Sequence, residues 1–298
     1  MTNNNNALAR FIVPTEKRAA IAELTKVPTI SPMVLGLLIV STGGVIAADV
    51  LSVLGHIPLL WACLLNTFLM YWQFTVAHDS IHRSAAKNQT LNDWLGHIGI
   101  ATFAPQITLG IFRWAHIQHH RFTNGPKDPD NWMHGPALSL PLRWAFLEIG
   151  YLRFILKNKD PIALRHLRAA VPNIVITLAL VVALTWLGYG KEVLLLWFIP
   201  SRLTFILVGF VFFWLPHVKD DVESEHDLTL ATSMRLGNEW LLTPVCQYHN
   251  YHLIHHLFPT MPAYQHVKAW KLLKPELMQR NLQIQHGFAI QPTIHMAP

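Results

Sequence analysis

Charge is what this chain has least of. Only 13% of its 298 residues are Asp, Glu, Lys or Arg, about half the roughly 25% of an ordinary soluble domain. Cysteine is scarcer still. Cys63 and Cys246 are the only two, which excludes a disulfide framework and a paired-thiolate metal site. Cys63 lies in an apolar run and Cys246 just before a histidine cluster, so both read as packed thiols. No GxGxxG fingerprint follows a strand, which removes a built-in dinucleotide site. No haem or iron–sulfur motif is visible either. The opening MTNNNNALARF lacks the basic-then-apolar order of a cleaved signal peptide.

Apolar residues are abundant instead, at 52%. Four segments have the roughly 20 residues that cross a bilayer as a helix. They run over about 32–54, 58–77, 172–189 and 193–215. Gly55-His56-Ile57 joins the first pair and Gly190-Lys191-Glu192 the second, and loops this short make antiparallel hairpins. The net charge of +6 has no basic-aromatic nucleic-acid module behind it. Of the 23 Lys and Arg, only Lys191 lies in a hairpin loop. By the positive-inside rule both hairpin tips face outward, and both termini and the remaining chain face the cytoplasm.

A fifth apolar stretch, residues 91–112, contains Asp93, His97 and Pro105. It reads as a re-entrant or interfacial hairpin rather than a span, because a full crossing would separate the histidines on its two sides. Residues 136–156 mix apolar positions with Arg143, Glu148 and Arg153, the pattern of a helix lying in the interface. The expected fold is all-α and integral to the membrane. It has four spans in two hairpins, a re-entrant hairpin and a cytoplasmic histidine-rich cap, forming one domain over residues 1–298. The hairpin-then-histidines arrangement occurs twice, without sequence repetition.

Three histidine clusters stand beside these segments: HDSIH (His78, His82), HIQHH (His116, His119, His120) and HLIHH (His252, His255, His256). Spacings of three and four put imidazoles on one helical face. Neutral imidazole is the commonest transition-metal ligand. Eight are too many for one four-coordinate zinc and suit two metal ions. A lone HxxxH arises easily by chance on a helix face. An HxxxH with two HxxHH, all on one membrane side, does not. His217, ending the fourth span in WLPHVKDD, shares that side and joins the set as a ligand. His249 is a candidate to orient a ligand rather than to bind, and Asp79 and Asp130 are candidate partners for metal-bound imidazoles. The other nearby acids, Asp128 among them, read as solvated charge. His97, His134 and His226 are weaker candidates, His56 sits at the outer tip, and His166, His266, His286 and His295 read as surface residues. Arg202, inside the fourth span, either serves a site or snorkels. Trp72, Phe74, Phe205, Phe212 and Trp214 either line a dry channel or simply pack.

With its flanks, the pattern resembles the membrane fatty acid desaturase and hydroxylase superfamily. HHRFTNGPKDPDNW (His119–Trp132) is similar to the extended second box of that family and NYHLIHHLFP (Asn250–Pro259) to its third. The resemblance covers about residues 35–264. It implies a metal role for all eight box histidines and two non-haem irons. It further implies dioxygen as co-substrate, a lipid substrate, and a separate electron donor of ferredoxin or cytochrome type. Some relatives add a ligand at the end of the fourth span with an Asn one turn earlier. His217 matches the first, but Phe213 stands in the second position. Acyl desaturation is the leading expectation, with hydroxylation of a carotenoid or another apolar lipid as the alternative. A histidine-rich metal transporter or sensor is the non-enzymatic alternative. Transport sites lie near the midplane on broken helices, whereas these clusters fall at span ends.

Overall fold

The computed structural model describes residues 11–298, so most of the N-terminal sequence read for a signal lies outside the described residues. The chain runs through α1 (Arg18–Leu24), α2 (Pro32–Val53), α3 (Leu59–Ile81), α4 (Gln89–Phe103) and α5 (Leu109–Phe122). It continues through α6 (Leu140–Ala145), α7 (Leu147–Asn158), α8 (Pro161–Leu184), α9 (Gly190–Glu192) and α10 (Ile199–Val208). The last part holds α11 (Leu228–Ala231), β1 (Ser233–Leu236), α12 (Glu239–Val245), α13 (His252–Leu257), α14 (His266–Leu277), β2 (Leu282–His286) and β3 (Thr293–His295). These elements form two compact units, a helical one of residues 28–115 and 136–209, and a histidine-bearing one of residues up to 27, 116–135 and 210–298.

The helical unit is built around α3, which is buried along most of its length. α2 packs on it through Gly44, whose missing Cβ leaves room for the Leu69 side chain. Polar side chains stitch the apolar helices together. Gln73 of α3 donates to Thr42 of α2 at 2.5 Å, and Thr204 of α10 donates to the Thr67 carbonyl at 3.0 Å. The outward faces of α2 and α8 carry exposed Ile39, Val40, Val175 and Leu178. A soluble protein does not present such faces; a lipid-facing one does.

Three helical segments are long and apolar enough to cross a membrane: Pro32–Val53, Leu59–Ile81 and Pro161–His217. The last contains both the third and the fourth expected spans. Its helical path breaks at Gly188, with φ 96° and ψ 0°, a conformation glycine adopts at no steric cost. The break therefore falls two residues before the expected Gly190 loop. Two further boundaries move. α3 continues to Ile81, so HDSIH ends a helix instead of following one. α8 begins at Pro161, capped by the Asp160 side chain, and keeps Pro172 inside.

The apolar stretch 91–112 is two helices, as its Pro105 suggests. α4 ends at Phe103 and α5 starts at Leu109. They fold back on each other. Leu109 lies over Gly96, and Arg113 pairs with Asp93 at 2.5 Å while donating to the Ser80 carbonyl at 2.9 Å. Residues 136–156 also divide, into α6 and α7, at Phe146. Arg202 does not snorkel. Its guanidinium meets Glu148 of α7 at 2.5 Å and the Ala145 carbonyl at 2.9 Å, and lies 4.7 Å from the Phe205 ring centroid.

The chain is mostly helical, as expected, and the histidine-bearing unit adds a small three-stranded sheet. β1 pairs parallel with β2, and β2 antiparallel with β3. In LQIQH the apolar Leu282 and Ile284 alternate with Gln283 and Gln285, a period-two signal. Leu282 and Ile284 join Met234, Leu253, Ile254 and Leu273 in the core of this unit. Gln285 donates to the Leu215 carbonyl at 2.8 Å, and Gln283 to the Lys219 carbonyl at 3.1 Å. The sheet thereby holds both sides of the turn that carries His217.

Candidate metal centre

Within the histidine-bearing unit, the last turns of α5, the 3-10 turn Leu215–His217 and α13 supply the imidazoles. Helical spacing accounts for His116, His119 and His120 sharing one face of α5, and for His252, His255 and His256 sharing one face of α13. His119, His217, His252 and His256 are all buried, and their ligand atoms lie within 4.8 Å of one another. His217 Nε2 is 3.0 Å from His252 Nε2, which is 3.1 Å from His256 Nε2.

Nitrogens this close fit a shared metal. Two ligands at right angles, with metal–nitrogen bonds of about 2.1 Å, stand about 3.0 Å apart. The other ring nitrogens fix the tautomers. His217 donates its Nδ1–H to the Ala231 carbonyl at 3.0 Å. His119 donates its Nδ1–H to Asp128, 3.0 Å from Oδ2, with Asp130 3.4 Å away. Each Nε2 lone pair is left for a metal, in the carboxylate–histidine arrangement that orients such ligands. The donor set is therefore chemically suited to a divalent transition metal.

A second group lies alongside. His120 Nε2 is 3.1 Å from His116 Nε2 and 2.9 Å from His255 Nε2. In the helical unit, His78 and His82 sit on the last turn of α3 with ring centroids 4.8 Å apart. Asp79 lies 3.5 Å from His78 Nδ1.

Burial, reinforced by neighbouring imidazoles, pushes His120, His252 and His256 well below the ordinary histidine range. That keeps them in the neutral, metal-binding form. His119 differs. Burial disfavours its charge, but Asp128 and Asp130 override this and raise its pKa to about 9, so a metal binding there displaces the Nε2 proton to reach the lone pair.

His249 is buried beside the cluster. Its Nδ1 lies 3.1 Å from the Gln247 carbonyl, and its ring is 5.4 Å from that of His255. Phe213, standing where some relatives carry Asn, is buried with its ring 6.2 Å from that of His116. Two residues escaped the sequence reading. Asp128, read as solvated charge, is buried and contacts His119 more closely than Asp130 does. His266, read as a surface residue, is fully buried with its ring 5.8 Å from that of His255. The aspartate left a faint mark, since an Asp before Pro is a common cap and Asp128 caps the 3-10 turn Pro129–Met133. The buried histidine left none beyond its helical spacing from Ala269, Trp270 and Leu273. His134 pairs with Asp220 at 3.3 Å and is in neither tight group, and His56 and His286 are exposed. Both cysteines are free and buried.

The fatty acid desaturase family matches residues 55–288, a range that contains all nine candidate ligands. Among characterised proteins, a sn-1 acyl-lipid omega-3 desaturase (ferredoxin) of Synechocystis sp. is 24% identical over 74% of this chain and 68% of its own length. A beta-carotene ketolase of Paracoccus sp. is 31% identical over 66% of this chain and 72% of its own. A dihydrorhizobitoxine desaturase of Bradyrhizobium elkanii is 29% identical over 66% and 62%. The relatives differ in what they oxidise, and what unites them is the family. On a match of that extent this chain, a membrane oxidoreductase with buried histidine clusters able to bind metal, belongs to the fatty acid desaturase family.

Proposed function

We propose that this enzyme desaturates the acyl chain of a membrane lipid at a pair of non-haem irons, using dioxygen and electrons from a separate protein. The observation that carries the reading is the buried set His119, His217, His252 and His256, with its tautomers fixed from behind by Asp128 and the Ala231 carbonyl. His78, His82, His116, His120 and His255 are the remaining candidate ligands in this reading. His249 orients rather than binds. Its Nδ1 contact with a carbonyl supports that role.

Bound there, iron supplies the activation of dioxygen needed to take hydrogen from an unactivated C–H bond. The chain's own residues do the rest. Asp128 holds the Nδ1 proton of His119 and keeps Nε2 pointed inward. In the helical unit, Phe74, Phe103, Phe112, Tyr151 and Phe205 line a narrow apolar cleft. Phe74 lies one turn before His78, with ring centroids 5.9 Å apart. At about 20 Å³ the cleft is a dry, packed wall beside His78 that excludes water, and an acyl chain enters it only if the rings part. Of the five aromatics read from sequence as channel candidates, Phe74 and Phe205 are in this lining. Trp72 is exposed, Phe212 packs on His249, and Trp214 stacks on Phe210.

The reading includes four spans in two hairpins, with the histidines and both termini on the cytoplasmic face. The Lys and Arg distribution supports that sidedness. A ferredoxin-type donor is favoured, because the Synechocystis relative is described as using one. A second reading, oxygen insertion into a carotenoid or similar lipid, is favoured by the 31% identity to the ketolase.

Lipid profiling of a host expressing the wild type against His120→Ala tests both. A new double bond, lost in the variant, supports desaturation, and a new oxygen function supports the second reading. Two irons per chain and reductant-dependent oxygen uptake are expected of the purified protein. Exchangeable zinc without oxygen uptake overturns both readings in favour of a transporter or sensor.

A further inference from the structure

A large cavity lies wholly within the helical unit, and none of the candidate ligands lines it. It measures about 650 Å³, within the range of small-molecule sites. α2, the end of α4, α8 and the segment after Gly188 enclose it. Its rim includes Val53, Ile176 and Leu180, which are exposed, so a molecule dissolved in the surrounding lipid can enter sideways.

Six side chains bring polar atoms to this otherwise apolar space: Asp49, Asn173, Thr177, Tyr189, Glu192 and Trp197. Asp49 is an acid inside an apolar helix, where an ionisable residue signals a site by default. Asn66 bridges it to the next wall, donating to Asp49 Oδ1 at 2.7 Å and to the Leu196 carbonyl at 2.9 Å. No other hydrogen bond to this carboxylate is made by the described residues. Trp197 follows Leu196 and lines the same cavity. Its indole N–H is buried without a hydrogen-bond partner, an arrangement costly enough to call for explanation.

Asp49 therefore offers an acceptor and Trp197 an unsatisfied donor to the same cavity, and Asn66 ties Asp49 to the carbonyl of Leu196, the residue before Trp197. A hydroxyl answers both, since it donates one hydrogen bond and accepts others. An ammonium cannot satisfy the indole, and a carboxylate is repelled by Asp49. We propose that this cavity binds a hydroxyl-bearing lipid, its oxygen between Asp49 and Trp197 and its hydrocarbon along α8.

The test uses the full-length, metal-loaded protein in detergent with radiolabelled hexadecanol, hexadecane, hexadecylamine and palmitate. Saturable binding of about one hexadecanol per chain is expected, with the alkane roughly tenfold weaker, the loss of about 1.4 kcal/mol. Asp49→Leu is expected to erase the preference for alcohol over alkane, and Trp197→Phe to reduce it several-fold, with metal content unchanged in both. Equal binding of alcohol and alkane, preference for the amine or the acid, or a preference that survives Asp49→Leu overturns the proposal. Should Asp49→Leu not fold, Val181→Trp, Leu180→Trp and Ile176→Trp together fill much of the cavity from its apolar wall. Stoichiometric alcohol binding retained in that variant overturns the proposal equally.

Discussion

Asp128 accepts from the His119 ring and from the backbone N–H groups of Asn124 and Asp130. Three donors fix its carboxylate, which in turn fixes the imidazole. Asp128→Asn removes the charge but keeps the shape, and metal affinity is expected to fall about 10- to 100-fold, measured by chelator competition. A second prediction concerns acid. Burial, with repulsion from His266, lowers His249 to about 3, and burial lowers His266 to about 4. Both are below the ordinary 6.5, so the unfolded chain binds more protons between these values. Their contribution to stability is complete above about pH 6.5 and is lost as the pH falls towards 4. Melting curves of the solubilised protein at pH 7 and pH 5 are expected to show a clear drop, smaller in His266→Gln. The grouping of His119 with His217, His252 and His256 was legible in the sequence because helical spacing and placement at a span end announce it. His266 and Asp128 were not, because burial of a lone polar residue depends on what packs over it.

At the scale of elements, glycines mark where helices approach or stop. A Cβ on Gly99 would stand 3.1 Å from the Ala77 nitrogen and 3.2 Å from the Gln73 carbonyl oxygen. That is the α3–α4 contact, and its backbone atoms cannot rotate away. Gly99→Ala is expected to cost about 1–3 kcal/mol through overpacking. Gly188 has open space around it but φ 96°, so Gly188→Ala carries only the backbone penalty, about 1–2 kcal/mol. Denaturant unfolding in detergent checks both values. Helix lengths were readable because apolar runs of this length have few alternatives. The sheet was missed because LQIQH and TIH are short and the parallel partner SMRL lies far back in the chain. The helix break was misplaced by two residues because Gly188 and Gly190 are equally good candidates by composition, and only backbone geometry separates them.

For the whole molecule, the charge distribution makes a prediction of sidedness. An impermeant thiol reagent applied from outside is expected to label Lys191→Cys and not Arg121→Cys. The reverse pattern contradicts the proposed orientation. Hydropathy and charge made the membrane class readable at once, whereas the division into two compact units depends on contacts between distant stretches of chain. The four clustered imidazoles come from three stretches of chain far apart in sequence, so a metal among them clamps those stretches together. A ligand that binds only the native form stabilises it by mass action, and small losses of stability change how fast proteases clear a protein. A cell short of metal is therefore expected to hold fewer copies of this enzyme at an unchanged rate of synthesis, so that its abundance, read by pulse-chase, becomes a gauge of metal supply.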